Sequence, residues 1–309
     1  MSGSAEAAAP ATDVRIVVDP RGYRRVDPLP EDEAMAQFYE SRYRDALDAR
    51  GRAPDLTRLL RDDADAERER AWLAMTVHAD VLVAIDGGAA EGAPLRVLDV
   101  GAGTGDLVGF LAGAGWEAFG VEPSQAIAEV GRERGLSIEA TTARSYIDAW
   151  RVRGGEAFGA VTLMNVLEHV PDPVGLLESV AALLAPGGRV VVRVPNDFSA
   201  LQAAARRLIP RDWWVMVPDH LNYFDHASIA AVIERVGLEV VDRTADFPME
   251  LFLLMGDDYT SNPAVGKACH ERRRRLELAL DPATRRSIGR AWAAAGIGRN
   301  AFVTARRPA

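Results

Sequence analysis

Arg96-Val97-Leu98-Asp99-Val100-Gly101-Ala102-Gly103-Thr104-Gly105 settles the architecture of this chain. An apolar run holding one acid reads as a buried parallel strand, and Asp106 to Gly115 carries apolar residues at helical spacing, so the three glycines lie on a strand-to-helix connection. Glycines there let backbone approach a ligand closely and expose amide N–H groups at a helix start. The third glycine comes one residue earlier than in G-x-G-x-x-G, and Asp106 takes its place, which disfavours a nicotinamide cofactor. Asp99 stands two residues before the first glycine, where its carboxylate is expected to face the ligand. It would repel a pyrophosphate and attract an ammonium.

One strand further on, Phe119-Gly120-Val121-Glu122-Pro123-Ser124 ends in a second acid. Val97 to Gly105 closely resembles the first motif of class I S-adenosylmethionine-dependent methyltransferases, and Phe119 to Ser124 resembles the second. The resemblance implies that Asp99 with Gly101, Ala102 and Gly103 holds the methionyl end of the cofactor. It implies that Glu122, followed by Pro123, accepts both ribose hydroxyls. Thr141 to Ser145 stands where the family contacts adenine, but the usual acid is missing, which leaves Ala143 and Arg144 to act by backbone or stacking. Asn165-Val166-Leu167-Glu168-His169-Val170-Pro171-Asp172-Pro173 matches the fourth motif and adds Asn165 to the cofactor residues. Leu184-Ala185-Pro186-Gly187-Gly188-Arg189 matches the turn into the fifth strand. The likeness covers about residues 90 to 245 and implies a doubly wound, seven-stranded Rossmann-like α/β sheet whose last strand is antiparallel at an edge.

Strands are predicted near 95–100, 117–121, 136–140, 158–164, 188–194, 238–243 and 300–306, alternating with helices through the central region. Outside that core the chain divides into a disordered tail (1–13), an N-terminal β and helical cap (14–90), the core (91–246), and an acceptor-side insertion with the final strand (247–309). In the cap, two short β pieces flank Pro20-Arg21-Gly22, an acid-led helix follows Pro30, residues 51 to 65 connect, and a long amphipathic helix runs from Ala66 to Ile85. Tyr39 and Tyr43 lie one turn apart on the acid-led helix. They either pack on the core or form a lid, and in the second case Tyr43 closes over the cofactor.

The composition bounds the partners. The 309 residues carry a formal net charge of −9, which argues against a nucleic-acid or anionic-membrane surface. The single cysteine, Cys269, excludes a disulfide framework and a multi-cysteine zinc site and fits a reducing cytoplasm. No metal is expected. No signal peptide or membrane-spanning run is read, and a homodimer is compatible with the sequence.

The acceptor side is read from what remains. His169, at the end of the fourth strand, either takes a proton from the acceptor or orients its loop through backbone. Trp213-Trp214 and Pro218-Asp219-His220-Leu221-Asn222-Tyr223-Phe224-Asp225-His226 form an aperiodic aromatic and polar stretch suited to a pocket wall. His220 and Tyr223 are its expected catalytic pair, with a structural hydrogen bond as the alternative for His220. His226 is assigned to capping, beside Asp225. In the insertion, Arg272 to Arg275 are expected on a solvated helix face with Glu271 pairing toward Arg275, while Glu250, Asp257 and Asp258 either solubilise or invite a cationic acceptor. The resulting expectation is methyl transfer to an oxygen or nitrogen of a sugar, amino-acid derivative or secondary metabolite. Rival readings are a nicotinamide-dependent oxidoreductase and a non-catalytic cofactor-binding protein.

Overall fold

The computed structural model describes residues 14–31, 38, 59–60, 63–87 and 94–308. Residues 1–13, Tyr39, Tyr43 with the lid expected of it, and most of the 51–65 connection lie outside the described residues. In chain order the strands are β1 (Arg15–Val18), β2 (Arg24–Asp27), β3 (Arg96–Val100), β4 (Glu117–Glu122), β5 (Ile138–Ala140), β6 (Phe158–Met164), β7 (Leu184–Pro195), β8 (Asn222–Tyr223), β9 (Glu239–Ala245) and β10 (Asn300–Arg306). Seven form one sheet in the order β5-β4-β3-β6-β7-β10-β9, and β1-β2-β8 form a second, small one.

The central strands are buried on both faces because helices cover both. Leu98, Val100, Leu163 and Val192 meet the helices Pro173–Leu183 and His226–Arg235 through Leu177, Val180, Ile229 and Ile233. On the other face Val97, Ala160 and Val191 meet Leu107 and Leu111 of Asp106–Gly113 and Val81 and Ile85 of the long N-terminal helix. That helix runs from Ala64 to Asp86 with one π turn at Ala74–His78. Asp63 caps its start by accepting the Ala66 N–H (2.9 Å), and Arg189 of β7 closes its end by donating to the carbonyls of Ala84 (2.9 Å) and Gly87 (2.8 Å). Among the described residues no helix is long and apolar enough to cross a membrane.

The expected edge position of the last strand is corrected. β10 is antiparallel, but it pairs with β7 on one side and β9 on the other, so β9 is the edge. The reason is composition: Ala301-Phe302-Val303-Thr304-Ala305 carries no charge and tolerates burial on both faces, whereas β9 holds Glu239, Asp242 and Arg243 and alternates between exposed and half-buried.

The arginine run is also corrected. In the helix Pro263–Ala279, Arg273 and Arg274 are buried, and only Arg272 and Arg275 face outward. Four consecutive residues span a whole helical turn, so a run of four arginines on a packed helix must turn some of them inward. Arg274 donates to Glu69 (2.9 Å) and pairs with Glu271, which therefore does not reach for Arg275. Arg273 donates to Glu277 (3.0 Å) and to Asp246 (3.1 Å), just past β9. Asp246 accepts in addition from Arg193 (2.8 Å) and from the backbone and side-chain nitrogens of Asn300 (2.8 Å each).

Burial would raise the Asp246 pKa, but the charges of Arg273 and Arg193 and their hydrogen bonds outweigh it and hold the carboxyl well below the usual range. Its contribution to stability is therefore present above the unfolded-state carboxylate value, roughly 3.9, and is lost as pH falls through the depressed folded value. Asp246→Asn should cost about 3–5 kcal/mol in urea unfolding at neutral pH, since the buried Arg273 and the half-buried Arg193 lose a shared counter-charge. Arg275→Ala, on the exposed face, should change stability by no more than about 0.5 kcal/mol; equal losses in both variants would refute the assignment.

Candidate functional site

A crevice of about 2080 Å³ opens at the carboxyl ends of β3, β4, β6 and β7, where the sheet order reverses between β3 and β6. A single small ligand occupies roughly 300–1,000 Å³, so there is room for two side by side.

One half is built by the glycine turn. Gly101 has φ +74°, and a Cβ there would stand 2.7 Å from Val166 Cγ2, so neither conformation nor space admits a side chain. Gly103, at φ +53°, faces open space. The amides are not free as expected: Gly101 and Ala102 donate to the Val121 carbonyl (2.8 and 3.0 Å), and Gly103 donates to Glu122 Oε2 (3.0 Å). A pyrophosphate would find these N–H groups occupied and a carboxylate in its place. Glu122 Oε1 accepts the Ser124 N–H (2.9 Å), which locks the side chain at the crevice wall. A carboxylate has roughly four acceptor sites, and this one already takes two backbone N–H groups.

Asp99 departs from its expected orientation. It does not line the crevice; it sits behind the wall and accepts from Thr162 Oγ1 (2.6 Å) on the adjacent strand, and its burial with the nearby Glu122 charge outweighs that bond and pushes its pKa up to about 7. Its Cα partner in the ladder is Thr162, and the strand's alternation turns both toward the face shared by Val97 and Ala160. Ala102 is likewise buried behind the lining, whereas Gly101, Gly103, Pro123, Ala143 and Arg144 line the crevice as expected. Thr142 caps the helix Ala143–Val152 and so brings Ala143 and Arg144 to the rim.

The other half centres on Asn165, Glu168, His169 and His220, all crevice-lining. Asn165 adopts φ +60°, donates to Glu168 Oε1 (2.9 Å) and accepts from Arg193, whose other nitrogen holds Asp246. Burial raises the Glu168 pKa. His169 Nδ1 lies 2.7 Å from the Asp219 carbonyl oxygen, which can only accept, so Nδ1 carries a proton and Nε2 is left toward Glu168 Oε1, 3.9 Å away. Burial alone would lower the His169 pKa; the Asp219 hydrogen bond and the Glu168 charge outweigh it and raise it. The His220 ring stands edge-on to His169 at 5.0 Å. Glu168, His169 and His220 each offer an atom within 4.8 Å of the others, a donor set with the chemistry for a divalent cation that the single-cysteine argument overlooked.

Two expected roles do not hold. Tyr223 is buried in β8 away from the crevice, and its hydroxyl bridges the Met216 N–H (3.2 Å) and the His220 carbonyl (3.1 Å); burial raises its pKa further. It shapes the turn that carries His220. His226 does not cap: Asp225 does, accepting from Ala227 and Ser228 (3.1 and 2.7 Å), while His226 Nε2 faces the Ile297 carbonyl (3.2 Å).

The sequence reading missed Asp197, Gln202 and Arg299, and Trp214 was placed only within a general wall; all line the crevice. A signal for Asp197 was present, since it is an acid two residues beyond the apolar β7, near the strand end, as Glu122 ends β4.

A family model for a methyltransferase domain matches residues 43–243. The chain belongs to that family. Curated relatives include the ubiquinone biosynthesis O-methyltransferases of Xanthomonas axonopodis pv. citri (strain 306), 31% identical over 163 residues, and Thiobacillus denitrificans, 33% identical over 162 residues. These matches cover 49% and 48% of this chain and 66% of each relative's own length. Burkholderia thailandensis 1,6-didemethyltoxoflavin-N1-methyltransferase, solved with bound 1,6-didemethyltoxoflavin and S-adenosylhomocysteine, aligns with a TM-score of 0.50 and 19% identity over 95% of this chain and 98% of that one. Magnesium protoporphyrin IX methyltransferase from Synechocystis PCC 6803, with bound SAH, gives 0.50 and 12% over 89% and 100%. At these identities the structural likeness is one of fold.

S-adenosylmethionine is the cofactor of this methyltransferase family, and the glycine turn fits it: open space at Gly103 and a carboxylate, Glu122, fixed at the crevice wall. Glu122→Ala should weaken S-adenosylhomocysteine binding by about 1–3 kcal/mol in calorimetry. Tyr223→Phe should leave that affinity unchanged and lower unfolding stability by roughly 1–3 kcal/mol. The reverse pattern would overturn both placements.

Proposed function

We propose that this protein is an S-adenosylmethionine-dependent methyltransferase acting on an oxygen or nitrogen of a small molecule. The observation that carries the reading is the single crevice with a fixed hydroxyl acceptor, Glu122, on one side and a histidine pair, His169 and His220, on the other. The net charge of −9 supports a small-molecule acceptor over a nucleic acid or an anionic membrane. When bound, the cofactor supplies an electrophilic methyl carbon on a sulfonium. The protein then has to align a nucleophile, exclude water and receive a proton.

Gly101 and Gly103 leave room for close approach at the turn, Glu122 fixes the ribose, and Ala143 with Arg144 borders the adenine end. Asp99, its pKa raised by burial, stands behind the turn, where a ligand ammonium would favour its ionised form. His169 takes the acceptor's proton on Nε2, because Nδ1–H is committed to the Asp219 carbonyl. Glu168 stabilises the resulting imidazolium, and Asn165 with Arg193 holds Glu168 in place. A second reading rests on the Glu168-His169-His220 set, which could instead hold a divalent cation that polarises the acceptor.

Screening a metabolite library by mass spectrometry for transferred methyl groups tests the activity; S-adenosylhomocysteine binding with no transfer to any acceptor would favour the non-catalytic rival. In the proton-transfer reading, turnover falls on the acid side with an apparent pKa above the ordinary imidazole value of about 6.5. The direction follows because His169 must be neutral to accept. His169→Ala should lower turnover by about 10²–10⁴-fold and remove that acid limb, and activity should survive EDTA. Loss of activity in EDTA with recovery on adding a divalent metal would replace this mechanism with the metal-assisted one.

A further inference from the structure

Beyond the histidine pair, one wall of the crevice combines buried acids with unsatisfied polar atoms. Asp197, 4% exposed, accepts from Gln202 Nε2 through Oδ1 (3.4 Å), but its Oδ2 has no hydrogen-bond partner among the described residues. Glu250, also 4% exposed, has an unpartnered Oε2, and Trp214, 8% exposed, an unpartnered Nε1–H. All three line the crevice. Leaving buried carboxylate oxygens and an indole N–H unmatched costs stability, and such groups are ordinarily paired. Three on one wall indicate that a ligand completes them.

The missing partner's charge follows from the neighbours. Arg193 and Arg273 are committed to Asp246, and Arg299, the cation bearing on both Asp197 and Glu250, is exposed and, among the described residues, forms no ion pair with either. Asp197 and Glu250 share that cation, while the adjacent Glu168 is faced by His169 and Arg193. Burial raises the pKa of both carboxyls, Asp197's to about 8, so they take their charge readily only when a cation arrives to compensate it, and an anionic ligand would oppose it. Trp213 and Trp214 meet edge-on at 4.7 Å beside this wall, and aromatic faces favour a cation.

Resting on the methyltransferase reading, we propose that the acceptor is a small molecule bearing a protonated amine, which Asp197 and Glu250 bind as a recognition handle while Trp214 Nε1–H donates to an oxygen beside it. The ammonium has no lone pair and is not the methylated atom in this pose; it anchors the molecule so that another oxygen or nitrogen faces the histidine pair. Glu250, which the sequence left as either solubilising or cation-binding, is thereby assigned to binding.

Three probes of one shape and different charge test the proposal on the S-adenosylhomocysteine-loaded protein: benzylamine, benzyl alcohol and benzoate, titrated by calorimetry. Benzylamine should bind at least about tenfold tighter than either of the others, the scale of a charge-assisted hydrogen bond. Asp197→Asn with Glu250→Gln should remove that preference while S-adenosylhomocysteine affinity stays unchanged. Equal binding of benzylamine and benzyl alcohol to the wild-type protein overturns the proposal without any variant, and so does a preference that survives in a folded double variant. Failure of S-adenosylhomocysteine to bind, measured first in the same samples, strikes the methyltransferase reading instead, so the two failures are distinguishable.

Discussion

The carboxylate of Asp246 is the constraint on which the acceptor half of the molecule depends. It lies just beyond β9 and is held at once by Arg193 from β7, Asn300 from β10 and Arg273 from the long helix of the insertion. Three segments separate in sequence converge on two oxygen atoms. Through the second nitrogen of Arg193 the same knot reaches Asn165, and through Asn165 it reaches Glu168 beside His169. The insertion is thus coupled to Glu168, 3.9 Å from the candidate proton acceptor, by a continuous path of charge-assisted hydrogen bonds, which are stronger and more directional than neutral ones.

The two halves of the crevice treat their polar groups in opposite ways. On the glycine side the protein's own amides occupy Glu122 and fix its position, so little is left to rearrange when a ligand arrives. On the acceptor side Asp197, Glu250 and Trp214 are buried with atoms left over. Pre-satisfied groups favour one ligand geometry, whereas unsatisfied groups create a stability deficit that a matching ligand relieves. A fold that reuses one cofactor with many acceptors is expected to distribute its polar groups in this manner.

The fold was legible because its signals are local. An apolar strand followed by a glycine turn, an acid ending the next strand, and a capping residue such as Asp225 are each decided within a few residues. Asp99 was misjudged because a central parallel strand is buried on both faces, so alternation shows that Asp99 shares a face with Val97 without showing that Thr162 awaits it there. Tyr223 was misjudged for the converse reason. Its neighbours in sequence suggested a pocket, but the pairing of β8 with β2, almost two hundred residues earlier, turns it into the interior. The arginine run looked solvated because Glu69 and Asp246, which bury two of its members, are far away in the chain. Local chemistry was readable; partners fixed by topology were not.

The placement of β10 has a consequence for how the molecule is made. A ribosome delivers β7 and β9 long before β10, yet these two strands do not pair: among the described residues, the ladder that joins β9 to the sheet runs through residues 300–306. Until that segment emerges, the growing chain carries two open β edges and an insertion whose Arg273 meets an Asp246 still lacking Asn300. Nascent chains stalled before residue 300 would therefore expose edges able to recruit strands from other molecules, and full-length synthesis closes both at a single stroke.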